Sequence, residues 1–238
     1  MPRLDVLVTR SGLAESRERA QALILAGKVR VAGETVRRPD RSVSEDAAIS
    51  VEAGPDYASR GALKLAPALD SFGVDPAGRV CADIGASTGG FTDVLLRRGA
   101  ARVYALDVGR GLLHWRLRQD PRVVVIERMN ARNLESFPEA VSLIVVDVAF
   151  IGLEKVLPAL RHAAPEAEVV ALFKPQFQVA RGEVGKGGIV RDAEAVESAL
   201  GHMREWCAAN AYEVRSEAPS ALPGAEGNRE IFLHLVPQ

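Results

Sequence analysis

The feature that most constrains the fold is a series of short apolar runs that alternate with helix-like segments after residue 79. The runs are RVCADI (79–84), RVYALD (102–107), RVVVI (122–126), VSLIVVD (141–147) and AEVVALF (167–173), followed by strand-like segments at 212–217 and 230–236. We predict helices at about 90–98, 111–118, 152–163 and 192–209. Continuous apolar strands separated by helices are typical of a parallel sheet that is covered on both faces. The last two strands have too short a connection for a crossover helix, so we predict that they pair antiparallel.

The first 52 residues follow a different pattern. Residues 3–10 and 16–26 predict two short helices, because Ser11-Gly12 breaks the helical periodicity between them. The next segment alternates and turns at Gly27 and Ala32-Gly33, which predicts short strands. Gly54 and Pro55 are typical of a linker. We therefore predict a small α+β domain at 1–52, a linker at 53–58 and an α/β domain at 59–238.

Charge and hydropathy limit the class of protein. The net charge is −1, yet residues 1–41 carry nine Arg or Lys against five Asp or Glu, which indicates a polyanionic partner. No apolar run approaches the roughly 18 residues that span a bilayer, and the start lacks the apolar centre of a signal peptide. We expect a cytoplasmic protein. Cys81 and Cys207 show neither metal spacing nor a disulfide framework, so we expect both to be buried and inert.

Polar residues end four of the predicted parallel strands. They are Asp83, Asp107, Asp147 and Lys174, and Asn130 lies just past the third strand. In an open parallel sheet, ligands bind beyond the carboxyl ends of the strands. We therefore expect these side chains to converge on one crevice.

The turn after the first of these strands, DIGASTGGF, is rich in glycine. Its glycines allow close approach of a ligand, and the helix that follows offers free N–H groups. The turn matches neither the dinucleotide fingerprint nor a P-loop. Asp83 would repel a pyrophosphate but suits the cationic amino acid end of S-adenosylmethionine (SAM), and Asp107 would accept hydrogen bonds from the ribose of that ligand. The alternative is a turn needed only for packing.

The segment after the fourth strand bears on the atom that accepts a methyl group. Enzymes that methylate amino groups usually have Asn/Asp-Pro-Pro-aromatic here, whereas Val148 and Ala149 follow Asp147. Base C5 methylation needs Pro-Cys, and neither cysteine follows a proline. Both differences favour an oxygen acceptor. Lys174 and Glu230 are candidates for that chemistry, and solvated strand-end charges are the alternative.

At these residues the chain resembles the TlyA family, the rRNA 2′-O-methyltransferases often labelled haemolysin A-like. RLDVLVTRSGLAESRERAQALILAGKV resembles the S4-type RNA-binding domain, and SRGALKL, DIGASTGGFTDVLL, ALDVGRG, NARNL, VDVAFI, KPQF, GKGGIVRD and GNRE follow in the family's order. The family resembles the FtsJ-type ribose methyltransferases. The resemblance implies a Rossmann-like SAM-dependent methyltransferase sheet, mostly parallel with the last strand antiparallel, joined to a small N-terminal α+β S4-type domain.

The resemblance also implies the site residues. A catalytic tetrad falls on Lys64, Asp147, Lys174 and Glu230. Lys174 would take the proton of a ribose hydroxyl, or stay charged and stabilise the developing alkoxide while Asp147 steers it. Lys64 and Glu230 would fix the nucleotide and the lysines. SAM carries an activated methyl group, so no metal is implied. The implied SAM-binding residues are Asp83, Gly85, Ser87, Thr88, Gly89, Gly90, Phe91, Asp107, Val108, Asn130 and Ala131.

The implied substrate is cytidine in 16S and/or 23S rRNA within ribosomal subunits. The S4-like domain would contact phosphates through Arg3, Arg10, Arg17, Arg19, Lys28 and Arg30. Arg181, Lys186 and Arg191 of the 178–192 loop would lie beside the site. We expect no membrane partner and favour a monomer. A non-catalytic ribosome assembly factor is one alternative, and a membrane-active haemolysin, which would need a long apolar or strongly amphipathic segment, is another.

Two positions differ from the usual family sequence, and the orientation of a third residue, Lys64, is open. Gln178 and Ala62 stand where the family usually has glutamate and glycine, which questions local hydrogen bonding and the closeness of packing. Lys64 lies opposite the apolar face of its helix, so periodicity alone predicts a solvated lysine. If the apolar face packs on the sheet, the face that carries Lys64 borders the crevice.

Overall fold

The computed structural model describes residues 1–14, 16–25, 27–51, 57–224 and 226–238. The chain divides into two compact units, residues 1–56 and 57–238. Of the linker predicted at 53–58, residues 53–56 lie outside the described residues. The domain boundaries therefore stay a prediction.

The first unit contains two helices and a small antiparallel sheet. Its elements are α1 (Leu4–Arg10), α2 (Arg17–Leu25), β1 (Val29–Val31), β2 (Glu34–Val36) and β3 (Ile49–Val51), with strand order β2-β1-β3. Ala32 and Gly33 join β1 to β2 with φ of 51° and 85°, the conformation that a two-residue hairpin requires at both positions. The helices and strands bury a common core that includes Leu4, Ile24 and Val29.

The second unit is built on a seven-stranded sheet. Its strands are β4 (Val80–Ile84), β5 (Arg102–Asp107), β6 (Val123–Glu127), β7 (Leu143–Val146), β8 (Glu168–Phe173), β9 (Tyr212–Pro219) and β10 (Ile231–Pro237). The order is β6-β5-β4-β7-β8-β10-β9, in which β4 to β8 are parallel and β10 runs antiparallel to both β8 and β9. The predicted mostly parallel sheet with an antiparallel last strand is confirmed.

The helices of this unit are α3 (Ala62–Phe72), α4 (Gly90–Arg97), α5 (Trp115–Arg118), α6 (Leu157–Ala163) and α7 (Ala193–Ala209). Two predicted helices are shorter than expected. Gly111 takes φ +70°, so the helix predicted at 111–118 begins only at Trp115. The helix predicted at 152–163 divides into a 3-10 turn (Leu153–Lys155) and α6, because Pro158 has no N–H and fits only a first helical turn.

The sheet is covered on both faces by buried apolar side chains. Adjacent residues of β10 point to opposite faces, so Leu233 packs with Ile84 on one side and Phe232 packs with Leu69 on the other. Cys81 and Cys207 are buried, and burial raises the pKa of each thiol to about 12. Among the helices that the structure describes, none is both long enough and apolar enough to cross a membrane.

Candidate active site

The polar strand ends meet where the order of the sheet reverses, between β4 and β7. Asp83 is the next-to-last residue of β4, Asp107 ends β5, and Asp147 and Lys174 directly follow β7 and β8. A crevice at such a reversal is the usual ligand site of an open parallel sheet.

The four residues of the expected tetrad form two ion pairs. Lys174 Nζ lies 2.5 Å from Asp147 Oδ1, and Lys64 Nζ donates to Glu230 Oε2 at 2.6 Å. The exposed fraction is 13% for the Lys174 side chain, 24% for Asp147, 14% for Lys64 and 3% for Glu230. Lys64 and Asp147 line the same cleft, which has a volume of about 230 Å³. Charges this deeply placed depend on their partners, and removing one partner of a buried pair typically costs about 3–5 kcal/mol.

Lys64 is not the solvated lysine that periodicity alone predicts. Helix α3 buries Ala62, Leu65 and Leu69, as the apolar pattern predicts, and Lys64 turns from the opposite side toward Glu230 at the start of β10. The backbone at Gly224 passes close to the carboxylate of Glu230. A Cβ added to Gly224 would lie 2.6 Å from Glu230 Oε1. The geometry agrees with the expectation that Lys64 borders the crevice, and its role there stays a prediction.

The glycine-rich turn has separate reasons for its glycines. Gly85 takes φ +85°, and a Cβ there would lie 2.4 Å from the carbonyl oxygen of Asp147. A Cβ on Gly90 would lie 2.9 Å from the backbone nitrogen of Ala62, so α4 and α3 pack closely despite the alanine. Gly89 takes φ +93°, and a Cβ there would meet the Leu117 side chain at 2.3 Å. Gly89 is not among the residues that line the clefts of the site, and its predicted role in SAM binding stays a prediction.

Asp83 is buried with one carboxylate oxygen unpaired. Its Oδ2 accepts from the backbone N–H and the hydroxyl of Thr92, at 2.8 and 2.6 Å, whereas Oδ1 has no hydrogen-bond partner among the described residues. Burial raises the pKa of Asp83 to about 7, and the charges of Asp147 and Asp107 raise it as well, against the lowering effect of the Thr92 hydrogen bonds. Because Asp83 lines the 230 Å³ cleft, its geometry fits the ammonium group of an amino acid.

A second cleft, of about 440 Å³, adjoins the first and shares Gly85, Ser87 and Asp147 with it. Asp107 stands in its wall and accepts from the backbone N–H groups of Ser87 and Gly109, at 2.8 and 2.7 Å. Each carboxylate oxygen can still accept a further bond. Two adjoining clefts with a carboxylate in each fit an elongated ligand that carries an ammonium group at one end and hydroxyls further along.

The residues expected to bind SAM divide between the two clefts. Asp83, Thr88, Gly90 and Phe91 line the first, Asp107, Val108, Asn130 and Ala131 line the second, and Gly85 and Ser87 line both. Sequence reasoning missed Leu112, Met129 and Ile151, which add apolar surface to the second cleft. In the sequence, each of the three is only an apolar residue shortly after a predicted strand. Ordinary core residues show the same pattern, so it does not identify a binding residue.

Gln178 has a specific partner. With its amide nitrogen oriented toward Glu154, it donates to Oε2 at 3.0 Å, and its oxygen accepts from the backbone N–H of Leu153 at 2.8 Å. A glutamate at position 178 would place two carboxylates in that contact. The amide therefore suits the local hydrogen bonding.

The basic residues expected to bind RNA have different surroundings. Arg3 and Arg17 each lie 3.0 Å from Asp5, which is fully buried, and the Arg3 hydrogen bond holds the pKa of Asp5 well below its usual range. Arg10 is exposed and lies 3.9 Å from Glu45. Lys28 lies just before β1 and is partly exposed, and Arg30 is exposed on β1. Arg19 belongs to α2, and its side chain lies outside the described part of the chain. At least two of the six predicted residues therefore also stabilise the fold of this unit.

Known proteins match over nearly the whole chain. The FtsJ-like methyltransferase family model matches residues 57–236, and the S4 domain model matches residues 2–49. The chain is 49% identical to the 16S/23S rRNA (cytidine-2'-O)-methyltransferase TlyA of Mycobacterium tuberculosis, covering 99% of this chain and 90% of the relative. It is 42% identical to Hemolysin A of Brachyspira hyodysenteriae, covering 98% and 99%. A solved structure of a putative hemolysin from Streptococcus thermophilus is 39% identical, with a TM-score of 0.78 over 99% of this chain and 88% of that one.

Proposed function

Because this chain belongs to the TlyA family of FtsJ-like methyltransferases with an S4 domain, we propose that it transfers a methyl group from SAM to a ribose 2′-hydroxyl of ribosomal RNA. The observation that carries the proposal is that two lysine–carboxylate pairs each contribute one residue, Lys64 and Asp147, to the wall of the cleft that Asp83 also lines. The name of the Mycobacterium tuberculosis relative supports cytidine in 16S or 23S rRNA as the target. Ribosomal subunits as substrate would place the protein in the cytoplasm.

The two adjoining clefts would hold SAM. Asp83 would pair with its ammonium group, Asp107 would accept hydrogen bonds from its ribose hydroxyls, and Leu112, Met129 and Ile151 would pack against its base. Gly85 lies so close to the backbone carbonyl of Asp147 that position 85 has no room for a side chain. Bound SAM supplies a methyl group that is already activated on sulfur, so the protein has only to position and deprotonate the acceptor.

Lys174 and Asp147 would act on the acceptor hydroxyl. As the 2′-oxygen attacks the methyl carbon, the carbon–sulfur bond breaks, its electron pair returns to sulfur, and the 2′-oxygen loses its proton. A neutral Lys174 can accept that proton, or a charged Lys174 can stabilise the forming alkoxide while Asp147 holds the ammonium in place. The 2.5 Å ion pair keeps the lysine beside Asp147 for either role. The two roles differ in pH dependence, since only the first requires the amine to be deprotonated.

Lys64 and Glu230 would position the nucleotide. Glu230 is nearly buried and holds the Lys64 ammonium at 2.6 Å, on the wall of the same cleft. A lysine held in this way can donate to the acceptor ribose without moving. Its own removal would leave a buried carboxylate unpaired, so loss of activity in a Lys64 variant would combine function with stability.

Substitution of Lys174 by alanine tests the proposal. We expect methyl transfer from labelled SAM to purified ribosomal subunits to fall by about 100-fold or more, the usual contribution of a positioned acid–base group. The matched control is Lys155→Ala, an exposed lysine in the 3-10 turn before α6, which we expect to act like the wild type. SAM affinity and thermal unfolding, measured on both variants, separate a lost reaction from a lost fold. Undiminished transfer by a folded Lys174→Ala protein would contradict the assigned role.

Mapping of 2′-O-methyl groups identifies the substrate. The 30S, 50S and 70S particles would each be incubated with protein and SAM, and the modified positions read from resistance to alkaline cleavage. Methylation of a cytidine ribose in at least one particle supports the proposal. A methyl group on a base or on a protein would contradict it.

A further inference from the structure

A third cavity lies beside the proposed reaction site. Its volume is about 910 Å³, and it lies at the end of β9 and the start of β10, with Pro175 from the segment after β8 in its wall. Glu230 lines this cavity, and Pro223 lines both this cavity and the 230 Å³ cleft. We call it the flanking cavity. It therefore adjoins the cleft where the acceptor ribose would be methylated.

The charges at the flanking cavity favour an anionic occupant. Arg191 and Arg229 line it, and both are exposed without an ion pair or hydrogen-bond partner among the described residues. Of the three carboxylates that line the cavity, Glu197 pairs with Arg204 at 2.8 Å and Glu230 pairs with Lys64 at 2.6 Å. Asp192 accepts from the backbone N–H of Glu194 at 2.9 Å and keeps its charge. Two guanidinium groups without an ion pair among the described residues therefore stand against one such carboxylate.

The two arginines stand on loops that are fastened to each other. Asn228 is 1% exposed, accepts from the backbone N–H of Val190 at 2.9 Å and donates to the carbonyl of Gly188 at 2.8 Å. Arg191 and Arg229 directly follow two residues of this contact. The backbone positions from which the two arginines extend are therefore held together, which lowers the entropy cost when both bind the same ligand.

We propose that the flanking cavity binds the nucleotide next to the target nucleotide, with Arg191 and Arg229 contacting its phosphates. The inference rests on the proposed function, because it assumes an RNA chain that enters the reaction site. The apolar part of the wall, which includes Pro175, Val196 and Ile231, would pack against the neighbouring sugar and base. Proteins that recognise particular RNA nucleotides usually bind them unpaired, with their bases stacked on protein side chains. The subsite would hold the RNA chain next to the nucleotide that accepts the methyl group, while the S4 unit contributes its own phosphate contacts.

The double variant Arg191→Ala/Arg229→Ala tests the subsite. We expect KM for ribosomal RNA to rise about tenfold, with a much smaller effect on kcat, because the arginines would touch the RNA away from the reacting atoms. The slope of RNA affinity against salt concentration, on logarithmic axes, should decrease by about 2, one for each phosphate that the variant no longer neutralises. Arg191→Lys/Arg229→Lys keeps both charges and should retain most of the affinity.

Arg215→Ala is the matched control. Arg215 is half-exposed on β9, and its nearest carboxylate is Glu213 at 3.7 Å, so we expect wild-type KM and salt slope. An unchanged KM and salt slope in the double alanine variant would overturn the subsite, as would a fall in kcat with KM unchanged. If the wild type transfers no methyl group to RNA, the proposed function fails, yet the salt slopes measured by RNA binding still decide whether Arg191 and Arg229 contact phosphates.

Discussion

Substitution of Asp83 by asparagine should separate the stability of the fold from the binding of SAM. The pKa of Asp83 is about 7 in the fold against 3.8 for the free side chain, a difference of about 3. Each pKa unit corresponds to about 1.4 kcal/mol, so ionising this buried carboxyl costs the cofactor-free protein about 4 kcal/mol. Asparagine keeps an oxygen for the Thr92 hydrogen bonds and cannot ionise.

The sign of the pH effect follows from the raised pKa. Between pH 3.8 and about 7 the unfolded chain has released the proton and the folded chain retains it, so the free energy of unfolding falls as pH rises. From pH 5 to pH 8 the wild type should lose about 3 kcal/mol through this carboxyl, and the Asp83→Asn variant should lose none of it. Any fixed cost of the asparagine side chain cancels in that comparison.

Urea unfolding followed by tryptophan fluorescence measures the difference. Trp115 and Trp206 are the two tryptophans of the chain, and both lie in residues 57–238, so the signal reports the unit that contains Asp83. Parallel pH curves for the two proteins would refute the raised pKa. A second measurement is SAM affinity by calorimetry. It should increase from pH 5.5 to 7 in the wild type, by up to about tenfold per pH unit, and should be weak at every pH in the variant.

Two further substitutions test other parts of the structure. Gly85→Ala should destabilise the fold by at least about 2 kcal/mol and abolish SAM binding, because its Cβ would collide with the Asp147 carbonyl. Gly78→Ala, with φ +70° and open space around it, is the control in thermal unfolding, since it carries the backbone strain alone. Asp5→Asn should increase hydrogen exchange in residues 1–56 at pH 7, and the difference from the wild type should begin to shrink only below about pH 4. The stability due to the lowered pKa of Asp5 is complete above the usual pKa of an aspartate and is lost as pH falls toward the lowered pKa in the fold. Equal exchange in wild type and variant at pH 7 would contradict this.

The sequence predicted the sheet well because its apolar runs are sharply bounded by polar residues. Strand ends could be located from those boundaries, and Asp107, Asp147 and Lys174 could be assigned to one edge because parallel strands share an edge. Lys64 could not be located in this way. Helical periodicity describes which face of α3 is apolar, but it does not reveal that a carboxylate 166 residues further along lies against the other face.

Other parts of the site were beyond sequence reasoning for the same physical reason. The burial of Asp83, and hence its raised pKa, depends on the packing of α4 and β7 around it rather than on its neighbours in the chain. The pattern also gave no sign that Leu117 would pack so closely against Gly89 that a Cβ there would meet it at 2.3 Å. Arg3 and Arg17 were predicted only as phosphate contacts, because nothing in the pattern showed that both would also pair with a buried Asp5.

The long separation between Lys64 and Glu230 has a consequence for how the enzyme matures on the ribosome that makes it. Every residue of the two clefts that would hold SAM except Pro223 precedes residue 160, whereas Glu230 lies in a much later part of the chain. A nascent chain can therefore complete the first five strands of the large sheet, and with them most of the cofactor site, well before it can neutralise Lys64. A chain terminated before Glu230 would lack the partner of that lysine and also β10, the strand that lies between β8 and β9 in the sheet. Methyl transfer would accordingly depend on a later part of the chain than the binding of SAM does.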